Sequence, residues 1–507
     1  MFKNVLVSTS DKTGLIEFLG PLADRGCRIV STGGTSQFLR EHQIKVVEVA
    51  EQTGFPEVMD GRVRTLHPSI HMPILARQNV AEDFELLKKN NLEPFDLVIV
   101  NLYPFADALA KNIEGAELIE FIDIGGPSLL RAASKNFERI AVVCDPKDYH
   151  WIAQKIEQKK ELNLEDRKKL AAKVFYHTSQ YDALIARVLD PKNYEKFILS
   201  GDLNQELRYG ENPNQQAWWY REHGAGLHDA EILHGKALSY NNLLDIEAAS
   251  RVAREFTDSY AAVAVKHNSP CGLASHSSAS EAVRLALGAD PVSVFGGIIA
   301  CNFEVDEVAA DFLSKIFLEA IVADGFSKAA LEKLTKKKDL RLLKWNPKNL
   351  TRQAFDVRSV SGGFLVQTTD LVGSWNKEWT IIGDQPTAEV RADLLLAWRA
   401  AAHLKSNAIA IAAQNQSLGM GMGQVNRVDA VEHAIQRARK NHPELLKKAV
   451  LASDAFFPFA DSIDLIHEAG IRWIIQPGGS VRDEEVFAKA KEHKINLVIT
   501  GTRHFRH

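Results

Sequence analysis

Apolar and polar positions follow two rhythms along this chain. Short, β-branched apolar runs at Val5–Ser8, Arg28–Ser31, Lys45–Val49, Leu97–Asn101 and Arg139–Cys144 predict strands. Between them, helical spacing predicts helices over Thr13–Arg25 and from about Thr35. Strands alternating with helices up to residue 145 or so imply βαβ units and a parallel sheet. From about 147 to 189 the pattern is helical, with the charged run Lys159–Lys169 on a solvated face, and Asp190-Pro191 marks a boundary. A second α/β region starts near Tyr194, with strands expected at Ala261–Lys266, Gly297–Cys301, Ala320–Ala323, Ala408–Ala413, Ala449–Ala452, Ile471–Gln476 and Ile495–Thr500. The basic span Lys333–Asn349 reads as a surface insertion. The pattern predicts two domains, 1–190 (a parallel-sheet core over 1–145 and a helical linker over 146–190) and 191–507, the second long enough for two similar layers.

Composition narrows the class. Hydrophobic residues make up 45% and charged residues 25%, as in a soluble globular protein. A net charge of −4 excludes a general nucleic-acid binder, so any anion must be held by a local cluster. Cys27, Cys144, Cys271 and Cys301 form no C-x-x-C pair, which suits a reducing cytoplasm and argues against a disulfide framework or structural zinc. The opening residues meet Asp11 and Lys12 before any long apolar run, so they read as a strand and not a signal peptide. No apolar stretch of about 18 residues predicts a membrane span.

Four turns in the first domain carry polar, Gly-rich chemistry: Ser10-Asp11-Lys12-Thr13-Gly14, Ser31-Thr32-Gly33-Gly34-Thr35 and Asn101-Leu102-Tyr103-Pro104 end predicted strands, and Asp123-Ile124-Gly125-Gly126-Pro127 opens a helix. In an open parallel sheet ligands bind beyond the carboxyl ends of the strands, where helix N-termini offer N–H groups to phosphate. In the second domain, Lys266-His267 ends a predicted strand, with Pro270 and Gly272 expected in a turn. The pair Pro270-Cys271 lacks the second cysteine of a zinc deaminase, Ala274 standing there, and nothing downstream of His442-Pro443-Glu444 supplies one, so no metal is expected. The final residues, Arg503-His504-Phe505-Arg506-His507, group two guanidiniums and two imidazoles that would suit an anion.

The first domain resembles the methylglyoxal-synthase-like domain that carries IMP cyclohydrolase activity, through Ser8–Thr13, Ser31–Thr35, Thr53–Glu57, Met59–Val63, Thr65–Pro68, Asn101–Phe105 and Asp123–Asn136. The resemblance implies that Ser10, Lys12, Thr13, Thr32, Gly33, Gly34, Arg62 and Thr65 hold the nucleotide, with Asn101, Gly125 and Gly126 beside it. It implies that Tyr103, Asp123 and Lys135 serve ring closure, with Arg64 among the catalytic groups. Two positions depart from the family: Arg64 replaces the usual Lys, and Met72-Pro73 replaces Gly-Gly, removing two flexible positions near a strand.

Residues 205–507 resemble the transformylase of the bifunctional aminoimidazole-carboxamide ribonucleotide (AICAR) transformylase/IMP cyclohydrolase family. The matching motifs are Arg208–Pro213, Leu238–Asn242, Lys266–Gly272, Ser293–Ala300, Lys405–Ala408, Gly421–Gln424, Ser453–Phe459, Gln476–Asp483 and Arg503–His507. This implies two cytidine-deaminase-like α/β subdomains, with His267 as the base toward the 5-amino group and Lys266 assisting release of tetrahydrofolate. It implies that Arg208, Tyr209 and Arg503 bind AICAR, that Asn415, Phe456, Asp461, Phe505 and His507 complete the pockets, and that Gly296 and Glu319 line them. One departure is Asn214, where the family has His. The implied ligands are AICAR, formyl-AICAR, IMP and 10-formyltetrahydrofolate, the last a co-substrate, with no resident cofactor, in a cytoplasmic homodimer. A transformylase with a non-catalytic nucleotide-binding first domain is the alternative; a purine-nucleotide sensor on the same fold fits less well, because binding alone needs no proton-transfer groups.

Overall fold

The computed structural model describes residues 2–191, 195–222, 224–346 and 355–507. Tyr194 and residues 347–349, which the sequence assigns to the start of the second region and the end of the basic span, lie outside the described residues. The chain divides into two compact units, Met1–Gly201 and Asp202–His507.

The first unit is built on β1 (Asn4–Thr9), β2 (Arg28–Ser31), β3 (Val47–Glu48), β4 (Leu97–Asn101) and β5 (Ala141–Val143). All are parallel, in the order β3-β2-β1-β4-β5. Val5 to Val7 and Leu97 to Val100 are at most 1% exposed, as expected of central strands covered on both faces. Strand order reverses between β1 and β4, and the crevice beyond their carboxyl ends is the switch point where such sheets bind ligands.

Two expectations change here. The run Lys45–Val49 forms a strand only at Val47–Glu48, because Val49 already opens a helix, Val49–Thr53. The helical span is two helices, Tyr149–Glu157 and Leu164–Leu189, the second started by a reciprocal cap between Asn163 and Asp166. Met72 and Pro73 lie within a helix, Pro68–Leu75; the Pro73 carbonyl accepts from Arg139 and from the Phe95 N–H just before β4.

The second unit begins with a ribbon of β6 (Asp202–Leu207) and β7 (Ala217–Arg221). Its main sheet has twelve strands. One half contains β8 (Glu231–His234), β9 (Tyr260–Lys266), β10 (Ser269–His276) and β11 (Ile298–Cys301). A two-stranded pair, β12 (Glu304–Val305) with β14 (Gly325–Phe326), flanks the last strands of that half, β13 (Ala320–Ala323) and β15 (Arg341–Lys344). A separate hairpin, β16 (Phe355–Val360) and β17 (Gly363–Thr368), precedes the other half. That half contains β18 (Thr380–Ile382), β19 (Ile409–Ala413), β20 (Gln416–Gly421), β21 (Val450–Ser453), β22 (Trp473–Gln476) and β23 (Asn496–Ile499).

The two halves have the same topology. Reading outward from the centre, β10-β9-β11-β13-β15-β8 and β20-β19-β21-β22-β23-β18 each give a hairpin, three mutually parallel strands and an antiparallel edge strand. They join through the antiparallel pair β10·β20. The duplication therefore lies side by side within one sheet, and not as two stacked layers. Alternation places Ala261, Val263 and Val265 in one layer with helices Tyr240–Ala253 and Ala388–Ala402, while Ala262 and Ala264 face the other layer with helix Ala279–Ala289.

Two further expectations are corrected. The span Lys333–Asn349 is not a surface insertion over its described part: Leu342 and Leu343 are fully buried in β15. Pro270 and Gly272 sit within β10, at a register shift, and not in a turn. Among the described residues no helix is long and apolar enough to cross a membrane.

Candidate active sites

A cleft of about 650 Å3 opens at the switch point of the first unit. Ser10 and Lys12 line it after β1, and Asn101 and Tyr103 at β4. Thr32 and Gly34 line it from the start of helix Gly33–Glu41, and Asp123, Gly125 and Gly126 from the start of helix Gly125–Lys135. Arg62, Arg64 and Thr65 close its remaining wall. Lys12, two arginines and two helix N-termini make this a place for an anion. Arg62 is paired at the rim with Glu120; both are more than half exposed, so the pair contributes little and a phosphate can displace Glu120.

Several side chains work differently from the sequence-based expectation. The Asn101 carboxamide accepts from the Ser10 and Asp11 N–H groups at 2.6 and 2.9 Å and donates to the Asp11 carbonyl at 2.8 Å, so it clamps the β1 turn. Gly33 does not line the cleft. With Gly61 it makes room for the Arg64 guanidinium, which a Cβ at either position would strike, and Arg64 is ion-paired with Glu57. Thr13 is exposed outside the cleft, its N–H bonded to Asp11 at 2.9 Å. Lys135 is exposed at the far end of helix Gly125–Lys135; ten helical steps place it about 15 Å from the cleft end. Within one chain Lys135 is not part of the cleft.

Asp123 is the group best placed to move a proton. Burial lifts its carboxyl above the usual range, against the opposing pull of the Gly126 and Tyr103 N–H groups. Its Oδ1 accepts from Gly126 at 2.7 Å, and its own N–H donates to the Tyr181 hydroxyl at 2.8 Å. A reaction in this cleft that uses the ionised carboxylate as a base should lose rate on the acid side at a pH above the ordinary carboxylate range, and Asp123→Asn should abolish that limb. A Cβ at Gly126 would stand 2.5 Å from Asp123 Oδ2. Gly126→Ala should therefore displace the carboxylate and lower the turnover of this cleft about 10²-fold in steady-state kinetics; unchanged turnover would show that Asp123 tolerates displacement.

In the second unit, register defines one working edge of the large sheet. Lys266 pairs with Ser269 at the β9–β10 turn. Continuing the β10·β20 register from Ala274↔Gln416 brings that turn level with Gly421. Gly421 pairs with Ile409, Ile409 with Ser453, and Gln476 with Ile499. Lys266, His267, Phe456, Asp461 and the final residues therefore share an edge. Lys266 Nζ donates to the Phe295 carbonyl at 2.8 Å, beside Gly296 at φ +75°. Glu319 lies nearby, its carboxylate held 2.8 Å from Arg341. Phe456 is half-buried, and Asp461 is exposed at the first position of helix Asp461–Glu468. Arg208 is exposed after β6, its guanidinium 5.4 Å from the Tyr209 ring, and Asn214 is exposed in the turn that follows.

Asn415 stands elsewhere. Its carbonyl accepts from Ser275, six residues along β10 from Ser269, which puts it about 20 Å away at the opposite edge. The asparagine on the working edge is Asn407, whose amide donates to the Gln424 carbonyl and accepts from Arg427, both at 2.8 Å. Both asparagines flank β19, and only topology distinguishes them.

The final residues alternate in direction. His504 is 2% exposed, packs edge-on against Trp398, and bonds Asp370 at 2.7 Å. The Arg506 carbonyl accepts from the Ser406 N–H at 2.8 Å, and the Arg506 N–H donates to the Ser406 hydroxyl at 3.1 Å. Arg503, Phe505 and His507 face outward, with Arg503 4.4 Å from the Phe505 ring. His504 is thus an anchor and not one of the anion-facing imidazoles. Arg503→Ala should weaken nucleotide binding at this edge without moving the thermal midpoint, whereas His504→Ala should cost about 1.5–3 kcal/mol through its lost charge-assisted bond; calorimetry and nucleotide titration separate the two, and a common loss in both assays would refute the division.

These features define an α/β enzyme with a nucleotide-sized anion cleft on a parallel sheet and a Lys-His pair on the edge of a duplicated sheet. Residues 14–128 match the MGS-like domain, and residues 133–437 match the AICARFT/IMPCHase bienzyme. Over 520 aligned residues the chain is 46% identical to the bifunctional purine biosynthesis protein PurH of Lactococcus lactis subsp. cremoris strain SK11, with all of both chains covered. It is 45% identical to the PurH proteins of Bacillus subtilis strain 168 and Aquifex aeolicus strain VF5, with at least 99% of each chain covered. The chain belongs to the AICARFT/IMPCHase bienzyme family of purine biosynthesis, and is a bifunctional enzyme with formyltransferase and cyclohydrolase activities.

Proposed function

We propose that the second unit moves a formyl group from N10 of 10-formyltetrahydrofolate to the 5-amino group of AICAR, and that the first unit closes the product to IMP. In the transfer, His267 takes a proton from the attacking amine, the new C–N bond forms, the N10–C bond breaks, and Lys266 protonates N10 as tetrahydrofolate leaves. Arg208, Tyr209 and Arg503 hold AICAR, Arg503 and Arg208 toward its phosphate. In ring closure the carboxamide nitrogen attacks the formyl carbon. Asp123 accepts its proton, Tyr103 donates toward the formamido oxygen, and Arg64 holds the developing negative charge. The oxygen leaves as water, with one proton from each nitrogen. The observation that carries this reading is the cleft of about 650 Å3, which gathers Lys12, Arg62, Arg64, Tyr103 and Asp123 around two helix N-termini.

The site is proposed to work without a resident cofactor, with the folate as co-substrate, in a cytoplasmic homodimer. Exposed apolar side chains on the hairpin β16–β17 support a second copy: Val360 is 47% and Leu365 63% exposed. Sedimentation that gives a single 56.4 kDa chain would refute the dimer. For the chemistry, AICAR and 10-formyltetrahydrofolate are supplied together and nucleotides separated by chromatography. IMP is expected, and its absence refutes the two-step reading.

A further inference from the structure

The turn carrying His267 is an unusual one. His267 and Asn268 have φ +52° and +59°, between the paired residues Lys266 and Ser269. Two consecutive left-handed residues make the hairpin turn that ordinarily asks for Asn-Gly, and a non-glycine pair there must be held from outside. Asp245, the sixth residue of helix Tyr240–Ala253, holds it: Oδ1 accepts from the Asn268 N–H at 2.5 Å, and the same carboxylate lies close to the His267 N–H.

The duplication repeats the device. Gln414 and Asn415, at φ +52° and +66°, join β19 to β20, and Asp393, the sixth residue of helix Ala388–Ala402, accepts from their N–H groups at 2.9 and 2.8 Å. The clamp is common to both halves while the turn residues differ, so it is the scaffold on which His267 is mounted. One half adds a second tie. Asn241, one helical turn before Asp245 and on the same helix face, donates to the Glu211 carbonyl at 3.3 Å, within the Arg208–Pro213 motif. The helix is pinned at its start by Ser239 and Asn242, which bond each other's N–H groups. One rigid helix thus connects the AICAR-binding loop to the turn bearing the base.

We propose that Asp245 is the positioning residue of the formyl-transfer site: by clamping the His267-Asn268 turn it sets the direction from which the imidazole meets the 5-amino group. This rests on the reading of His267 as the base. The test is steady-state transfer kinetics and thermal unfolding on the full chain for Asp245→Ala, Asp393→Ala, His267→Ala and Asp245→Ala combined with Asn268→Gly. Asp245→Ala should lower kcat about 10–100-fold, the scale of losing a partner that orients a reacting group, with the KM for AICAR nearly unchanged. Asp393→Ala should lower the thermal midpoint similarly yet leave kcat close to that of the unmodified enzyme. Asn268→Gly should restore most of the lost rate, because glycine adopts the left-handed position without a clamp. Equal kcat losses for Asp245→Ala and Asp393→Ala, or no rescue by glycine, would overturn the proposal. Retained transfer in His267→Ala would instead remove the base assignment beneath it. Should Asp245→Ala not fold, Asp245→Asn is compared with Asp393→Asn by the same criteria.

Discussion

His267→Ala and Lys266→Ala should each lose about 10²–10⁴-fold in formyl transfer, the usual cost of removing a positioned acid or base, while both variants still cyclise supplied formyl-AICAR. The 5-amino group is a poor nucleophile, so orientation and proton removal must supply much of the rate. Both residues sit at the end of β9 on the working edge, with Lys266 anchored to the Phe295 carbonyl. The residues proposed for cyclisation line a cleft in the other compact unit, which is why that activity should survive. Near-normal transfer in both variants would overturn the assignment, and loss of both activities together would mean that the substitutions unfold the chain.

What the sequence shows and what it hides follow physical lines. The central strands β1 and β4 are legible because burial on both faces demands unbroken apolar runs. Strand β15 is hidden because only Leu342 and Leu343 advertise it, between Arg341 and Lys344 and after the lysines at 336–338. Strand β10 is hidden because Pro270 and Gly272 signal a turn, while the real turn, His267-Asn268, contains no glycine and depends on a carboxylate from a distant helix. In the first unit the Gly-rich turns reveal most of the cleft, since a parallel sheet gathers its strand ends. Lys135 misleads because residues in one motif can stand at opposite ends of one helix. Tyr181, which supports Asp123 from 58 positions away, carries no local signal.

Arg64 tests how ring closure is driven. Arg64→Lys should change the cyclisation rate modestly, whereas Arg64→Ala should lose about 10²-fold or more, the scale for deleting a transition-state donor. The guanidinium is fixed by Glu57 and by the space at Gly33 and Gly61, and it reaches the same cleft as Tyr103 and Asp123. A guanidinium does not give up its proton in a protein, so its contribution is a permanent positive charge and directed N–H groups. Lysine keeps the charge but loses the planar fork, leaving part of the space beside the two glycines unfilled. The competing account makes this position a proton donor in the rate-limiting step. On that account Arg64→Lys should accelerate cyclisation strongly, and the unmodified enzyme should release formyl-AICAR faster than it closes the ring. Single-turnover cyclisation of formyl-AICAR by the three proteins decides between them. Strong acceleration by lysine, with formyl-AICAR accumulating in the unmodified enzyme, would refute the electrostatic role and leave the first unit a nucleotide binder with impaired chemistry.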